Sequence, residues 1–181
     1  VKFIFMKSRY KKVELASIEE FKDFIKKNPK IKYLDVILGD LTGIIRGKRI
    51  PIADADKIFK SGVQFCYSTF ILDASGYCPD ADGRGVTDGD PDANFYPVKN
   101  TLSIIPWHKD KIAQVLITIQ DDSRYSSIVD PRNVLARILD NFSKLKLYPR
   151  VAFELEFYLI KKRKKLDEKP TPPISKRNQR E

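Results

Sequence analysis

Phe153-Glu154-Leu155-Glu156-Phe157-Tyr158-Leu159-Ile160 places two carboxylates two residues apart in an otherwise apolar run. In a strand, residues i and i+2 share a face, so Glu154 and Glu156 project together while Phe153, Leu155, Phe157 and Leu159 point the other way into a core. Neighbouring carboxylates repel unless a cation lies between or beside them, and hard ions such as Mg²⁺ or Mn²⁺ prefer such oxygen ligands. An edge strand with a solvated acidic face gives the same pattern, and strand alternation by itself favours that plainer reading.

The other chemistry-bearing residues exclude more than they assign. Asp80, Asp82, Asp88, Asp90 and Asp92 suggest a calcium loop, but counted from Asp80 the fifth position is Arg84 and the twelfth is Pro91. An EF-hand needs an oxygen ligand and a bidentate Glu there. Counting from Asp88 puts Ala93 sixth and Lys99 twelfth, so turn formation accounts for most of these residues. Gly83-Arg84-Gly85 lacks the strand-to-helix junction and the Lys-Ser/Thr of a phosphate loop. Arg46, Lys48 and Arg49 could bind anions, although a solvated strand face explains them as well. Cys66 and Cys78 form no C-x-x-C pair and have no neighbouring His, so two reduced thiols are expected. The sole histidine, His108, excludes every two-histidine mechanism and reads as a surface or structural loop residue.

Elements must position these groups. Ser17-Ile18-Glu19-Glu20 is a capping box that opens a helix running to about Lys27, with Phe21, Phe24 and Ile25 at helical spacing and Asn28-Pro29 as its stop. Tyr33–Leu38 and Ile44–Pro51 flank the turn residues Asp40 to Gly43, a hairpin signature. Residues 53–60 read as a short helix closed by Gly62, and Asp73 to Pro97 as a long loop. Thr101–Ile105 and Gln114–Ile119 are strand candidates. Asp130-Pro131-Arg132 starts a second helix with Val134, Leu135, Ile138, Leu139 and Phe142 as its buried stripe, and Arg150–Ile160 is a last strand. The sum is an α+β fold on an antiparallel or mixed sheet.

With 42% hydrophobic and 11% aromatic residues in 181, the chain can bury a full core, which excludes wholesale disorder. No apolar run reaches the roughly 18 residues of a membrane span, so no membrane role and a cytoplasmic setting are expected. The net charge of +10 suggests nucleic acid, but residues 1–12 carry +5 and residues 161–181 carry +6, leaving the middle at −1. A nucleic-acid module carries its basic patch on the fold, so this distribution argues against that function.

Taken in order, the motifs outweigh their members. Leu34-Asp35-Val36-Ile37-Leu38-Gly39-Asp40-Leu41-Thr42-Gly43 with Ile45-Arg46-Gly47-Lys48-Arg49-Ile50-Pro51, then Gly89-Asp90-Pro91-Asp92 with Tyr96-Pro97, then Asp130-Pro131-Arg132 and the Phe153–Leu159 run, resemble the N-terminal part of the glutamine synthetase family. The Arg-Gly-Lys-Arg-Ile-Pro segment and Pro172-Pro173-Ile174-Ser175-Lys176-Arg177 are most similar to its γ-glutamylpolyamine synthetase branch. The resemblance implies a basic extension (1–16), a β-grasp domain (17–125), the truncated start of the catalytic domain (126–160) and a basic Pro-rich tail (161–181). It implies a reaction in which ATP phosphorylates the γ-carboxylate of glutamate before an amine or polyamine displaces phosphate, in a ring-shaped homo-oligomer with Mg²⁺ or Mn²⁺. Divalent cations there neutralise the transferring phosphoryl group. By motif position Glu156 would ligate the metal on the glutamate side and Glu154 the one on the nucleotide side.

Two departures qualify that picture. Cys66, in Phe65-Cys66-Tyr67-Ser68-Thr69, stands where ammonia-using members carry an Asp, and a neutral residue suits an alkylamine better than ammonium. With Thr69 and Asp92 it would form an amine-site loop facing the adjacent subunit. The family's other metal carboxylates, nucleotide segment, glutamate-binding arginines and flap Glu have no counterpart before Glu181. The expectation is a chain inactive alone, binding ATP and metal at most weakly; the alternatives are a split subunit completed by a separate C-terminal half, or a non-catalytic interaction module with basic tails.

Overall fold

The structure, a computed structural model, describes residues 13–80, 83, 85, 87–109, 111–120 and 129–173. The basic extension through Lys12, Asp82, Arg84, the expected boundary at 125 and 126, and the tail from Ile174 lie outside them. The chain divides into two units, Val1–Tyr148 and Pro149–Glu181.

In the first unit, α1 (Ile18–Lys27) starts where Ser17 accepts the Glu20 amide at 3.1 Å. Only this half of the expected capping box forms, because the Glu20 carboxylate instead accepts the amide of Asn100 at 2.8 Å. The helix buries Phe21, which stacks on Phe59 of α2 (Asp56–Ser61) at 4.6 Å between centroids. Gly62 ends α2 at φ +79, with Phe95 O only 3.0 Å from where a Cβ would sit, so the left-handed cap and the close approach both select glycine.

The mixed sheet follows from period-two burial. β1 (Tyr33–Gly39) buries Leu34, Val36 and Leu38 and pairs antiparallel with β2 (Ile45–Pro51) in the expected hairpin. On its other side β1 runs parallel to β6 (Ile112–Ile119), the central strand. β6 also pairs antiparallel with β5 (Ser103–Ile104) and with β4 (Asp92–Pro97), and β4 carries β3 (Val63–Cys66). The order is β2-β1-β6-β4-β3. The sequence reading places residues 92–97 in a loop, whereas they form a strand that buries Ala93, Phe95 and Pro97 in alternation. Phe95 packs against Phe65 and Phe70 at 5.3 and 5.5 Å, and burying such a side chain contributes roughly 1.5–3 kcal/mol.

Two buried carboxylates organise the turns of this unit. Asp40 accepts from the amides of Thr42 and Ile44, the Thr42 hydroxyl and Arg46 Nε, all within 2.9 Å. Asp130 caps α3 (Pro131–Lys144) by accepting the Arg132 amide, and its other oxygen takes the Thr118 hydroxyl and the Ile119 amide of β6. Asn133 adds a bond to Ile119 O at 2.8 Å. Only this N-terminal end of α3 is tied down in that way. The expected buried stripe is therefore not found: Leu135, Ile138 and Phe142 stay exposed, and no residue of α3 is fully buried.

In the second unit the expected strand at 150–160 is absent. Residues 150–160 pair with no ladder, and Phe153 and Leu155 are 91% and 83% exposed. Strand geometry is stable only when a neighbour satisfies its amides and covers its apolar face, and no described segment does either. Local bonds shape the rest, among them Lys161 N to Thr171 O and Lys164 N to Glu168. Among the described residues no helix is long and apolar enough to cross a membrane.

Burial by itself would raise the Asp40 carboxyl, but the Thr42 hydroxyl, Arg46 and the two turn amides outweigh it and hold the group below its ordinary range. Its stabilising contribution is thus complete above the unfolded-state value near ~3.9 and is lost as pH falls through the lower folded-state value. Asp40→Ala should cost about 2–4 kcal/mol in urea unfolding, because it strands Arg46 and two turn amides. Gly47→Ala should cost about 1–3 kcal/mol, since overpacking against backbone forces β1 and β2 apart. The added Cβ would lie 2.1 Å from Val36 O.

Candidate functional site

The loop expected to face an amine is built where β3 meets β4. Their register sets Cys66 directly opposite Asp92, and the Cys66 thiol donates to Asp92 Oδ1 at 3.2 Å. The chain then turns through a 3₁₀ segment, Tyr67–Phe70, whose Ser68 is held by its amide and its hydroxyl to the two oxygens of Asp90. Thr69 rides on that turn, half-buried, between buried Ser68 and buried Phe70. The structure thus brings Cys66, Thr69 and Asp92 to one end of the β3–β4 pair.

The sequence reading counts Asp90 among the turn formers and gives Ser68 no role, so their bond to each other is what it misses. Their signal is weak but present: Asp90 and Asp92 alternate about Pro91 directly before a strand, with Gly89 ahead of them. Asp88 accepts from the amides of Gly85 and Asp90, and Asp80 from the Thr87 hydroxyl, which confirms these acids as turn residues. Cys78 is free and His108 lies exposed on a short 3₁₀ turn, as expected.

Electrostatics fixes the character of Cys66. The hydrogen bond to Asp92, then burial, then the negative charges of Asp90 and Asp92 push its thiol up to about 11. At neutral pH the group is a neutral thiol with no nucleophilic fraction to speak of. Asp92 is exposed, and the thiol bond engages its Oδ1. This end of the β3–β4 pair thus presents a neutral thiol beside an exposed carboxylate.

Glu154 and Glu156 belong to the second unit, where both are exposed. One or two carboxylates can hold Mg²⁺ where water and phosphate oxygens complete its six-ligand shell. Among the described residues no group of three or more His, Cys, Asp or Glu side chains could hold a metal. Glu154 and Glu156 supply hard oxygen donors that fit Mg²⁺ or Mn²⁺, with the other ligands left to water, phosphate or further residues.

Asp92→Asn should lower the Cys66 thiol from about 11 toward the ordinary thiol range, because it removes the acceptor and a negative charge. Thiolate absorbance followed against pH checks this; an unmoved titration would mean that burial, not Asp92, controls the thiol.

No protein-family model matches the chain. Over 160 residues, 88% of its length, it is 36% identical to γ-glutamylputrescine synthetase PuuA of Escherichia coli K12, covering 34% of that protein. Glutamate–isopropylamine ligase of a Pseudomonas species is 30% identical over 79% of the chain and 31% of the relative. Glutamine synthetase of Pyrococcus horikoshii is 31% identical over 74% of the chain and 27% of the relative. A solved structure described as a GmaS/ADP complex superposes with a TM-score of 0.52 at 18% identity, over 77% of this chain and 26% of that one, a likeness of fold. The chain spans about a third of the length of the curated relatives it matches. Relatives of three named specificities converge on it, and over the matched residues the chain belongs to the glutamine synthetase family.

Proposed function

We propose that this chain supplies the N-terminal part of an ATP-dependent glutamate–amine ligase that joins the γ-carboxylate of glutamate to an alkylamine or polyamine. The observation that carries the amine class is Cys66, a neutral thiol bonded to an exposed carboxylate where an acidic residue would mark ammonium. A diamine such as putrescine offers a matching pattern, one amine to react and a second, protonated, for Asp92. The 36% identity to a γ-glutamylputrescine synthetase supports the same choice.

In this reading residues 17–125 are a β-grasp domain. Support comes from the parallel β1–β6 pair at the centre of the sheet, with the β1–β2 hairpin on one side and the β3–β4 pair on the other. Residues 126–160 open the catalytic domain, and residues 1–16 and 161–181 are basic flanks. Cys66, Thr69 and Asp92 face the active site of a neighbouring subunit in a ring. Glu154 and Glu156 become ligands for Mg²⁺ or Mn²⁺ only when a neighbouring strand pairs their segment and turns both to one side. ATP and metal binding, and turnover in the cytoplasm, then belong to the assembled protein.

Two preparations test this. The purified chain given glutamate, ATP, Mg²⁺ and putrescine should form no γ-glutamylputrescine; product from it would overturn the view that the described residues need the rest of a ligase. A chimera in which this chain replaces the matched third of the Escherichia coli relative should form that product, and Cys66→Asp in it should cut kcat/KM for putrescine about tenfold relative to ammonia. A chimera that assembles but ligates nothing would count against the proposal.

A further inference from the structure

Arg46 and Lys48 stand at i and i+2 on β2 and project from one face, while Arg49 projects from the other to pair with Asp35. Arg46 is half-buried and Lys48 exposed, yet both are engaged by the fold. Lys48 Nζ donates to Gln64 O at 2.7 Å and sits 4.3 Å from the centroid of the Phe65 ring. Arg46 donates through Nε to Asp40 and through Nη2 to Asp73 O at 3.0 Å. Between these two points the turn amide of Leu41 donates to Phe70 O at 2.9 Å.

β2 and β3 lie at opposite ends of the strand order, so no ladder joins them. Lys48 and Arg46 therefore hold the entry and the exit of the segment Gln64–Asp73 from across the gap in the curled sheet. That segment carries Cys66 and Thr69. The clamp starts from a fixed base: Gly47, between the two cations, lies so close to Val36 O that β2 cannot shift its register without losing the contact. Arg46 is further pinned by buried Asp40, and Lys48 adds a tether from β2 to the strand whose register with β4 sets Cys66 opposite Asp92.

We propose that Lys48 and Arg46 are positioning residues for the Cys66–Thr69 segment, Lys48 setting the approach of Cys66 and Arg46 the exit at Asp73. The link to amine selection rests on the reading of that segment as amine-facing; the positioning itself does not. Cys66 reports it directly, since its thiol reactivity depends on being held against Asp92.

The test compares Lys48→Met, which keeps the stem and removes the ammonium, with Lys48→Arg, which keeps a donor and a cation for the ring. Peptide-resolved alkylation at mildly alkaline pH should show Cys66 in Lys48→Met reacting about threefold faster or more, as the freed thiol ionises more readily. Cys78 serves as the internal control and should keep its rate, and Lys48→Arg should restore the rate at Cys66. Amide exchange should quicken at Phe65–Phe70 in Lys48→Met alone, about threefold or more, as local opening becomes easier. An unchanged rate at Cys66, or a parallel rise at Cys78 that marks general loosening, overturns the proposal. In the active chimera, Lys48→Met should raise KM for putrescine about threefold while KM for glutamate holds, and an unmoved KM overturns the link to the amine. A chimera inactive before any Lys48 change indicts the functional reading, and alkylation still decides the positioning.

Discussion

The carboxylate of Asp40 is the constraint on which the rest of the first unit depends. A buried anion is costly unless nearly every lone pair is met, and here four donors meet it: two turn amides, one hydroxyl and one guanidinium. That saturation sets the β1–β2 turn and delivers the hairpin in one register. It also aims Arg46, whose remaining nitrogen reaches Asp73 O. Turn geometry, strand register and the far boundary of the Cys66 segment are therefore consequences of one group, although they are separated by more than thirty positions in sequence.

Asp130 applies the same physics at the C-terminal end of the neighbouring strand β6. It caps a helix and receives two donors from β6, so the helix start and the strand end share one acceptor. The contrast with Asp92 is instructive. Asp40 and Asp130 are buried and consume their acceptor capacity on the fold, whereas Asp92 is exposed and takes a weak thiol donor with one oxygen.

Much of this was legible in the sequence because it is local. Ser17, the turn run Asp40–Gly43, the Gly62 stop and the Asp130-Pro131 start each act within a few residues of where they stand, so pattern and propensity suffice. β3 and β4 escaped for the opposite reason. Val63–Cys66 is too short to show a period, and Asp92, Asn94 and Pro97 read as turn formers although their alternation with Ala93 and Phe95 puts them on the exposed and buried sides of a strand. Glu20 shows the same limit: its sequence position predicts a cap, and only the fold reveals Asn100 as a nearer donor. At the site, Cys66 and Asp92 were named by resemblance, but their pairing is a register fact, and Lys48, exposed as its solvated-face reading expects, gains its bond to Gln64 O only through the fold.

The second unit carries the argument one step further. Its Phe153–Leu159 run has the alternation of a strand and the exposure of a coil, and both follow from a single requirement. Alternation is a property of the residues, but a strand is a property of a pair, and the partner must supply hydrogen bonds and cover at once. Glu154 and Glu156 inherit that dependence. Only when a ladder fixes the backbone do they share a side and a distance, so the same pairing that would bury Phe153, Leu155 and Phe157 would also create the carboxylate face. Folding of that strand and assembly of a metal site would then be one event rather than two, and both await a neighbouring strand that the described residues do not provide.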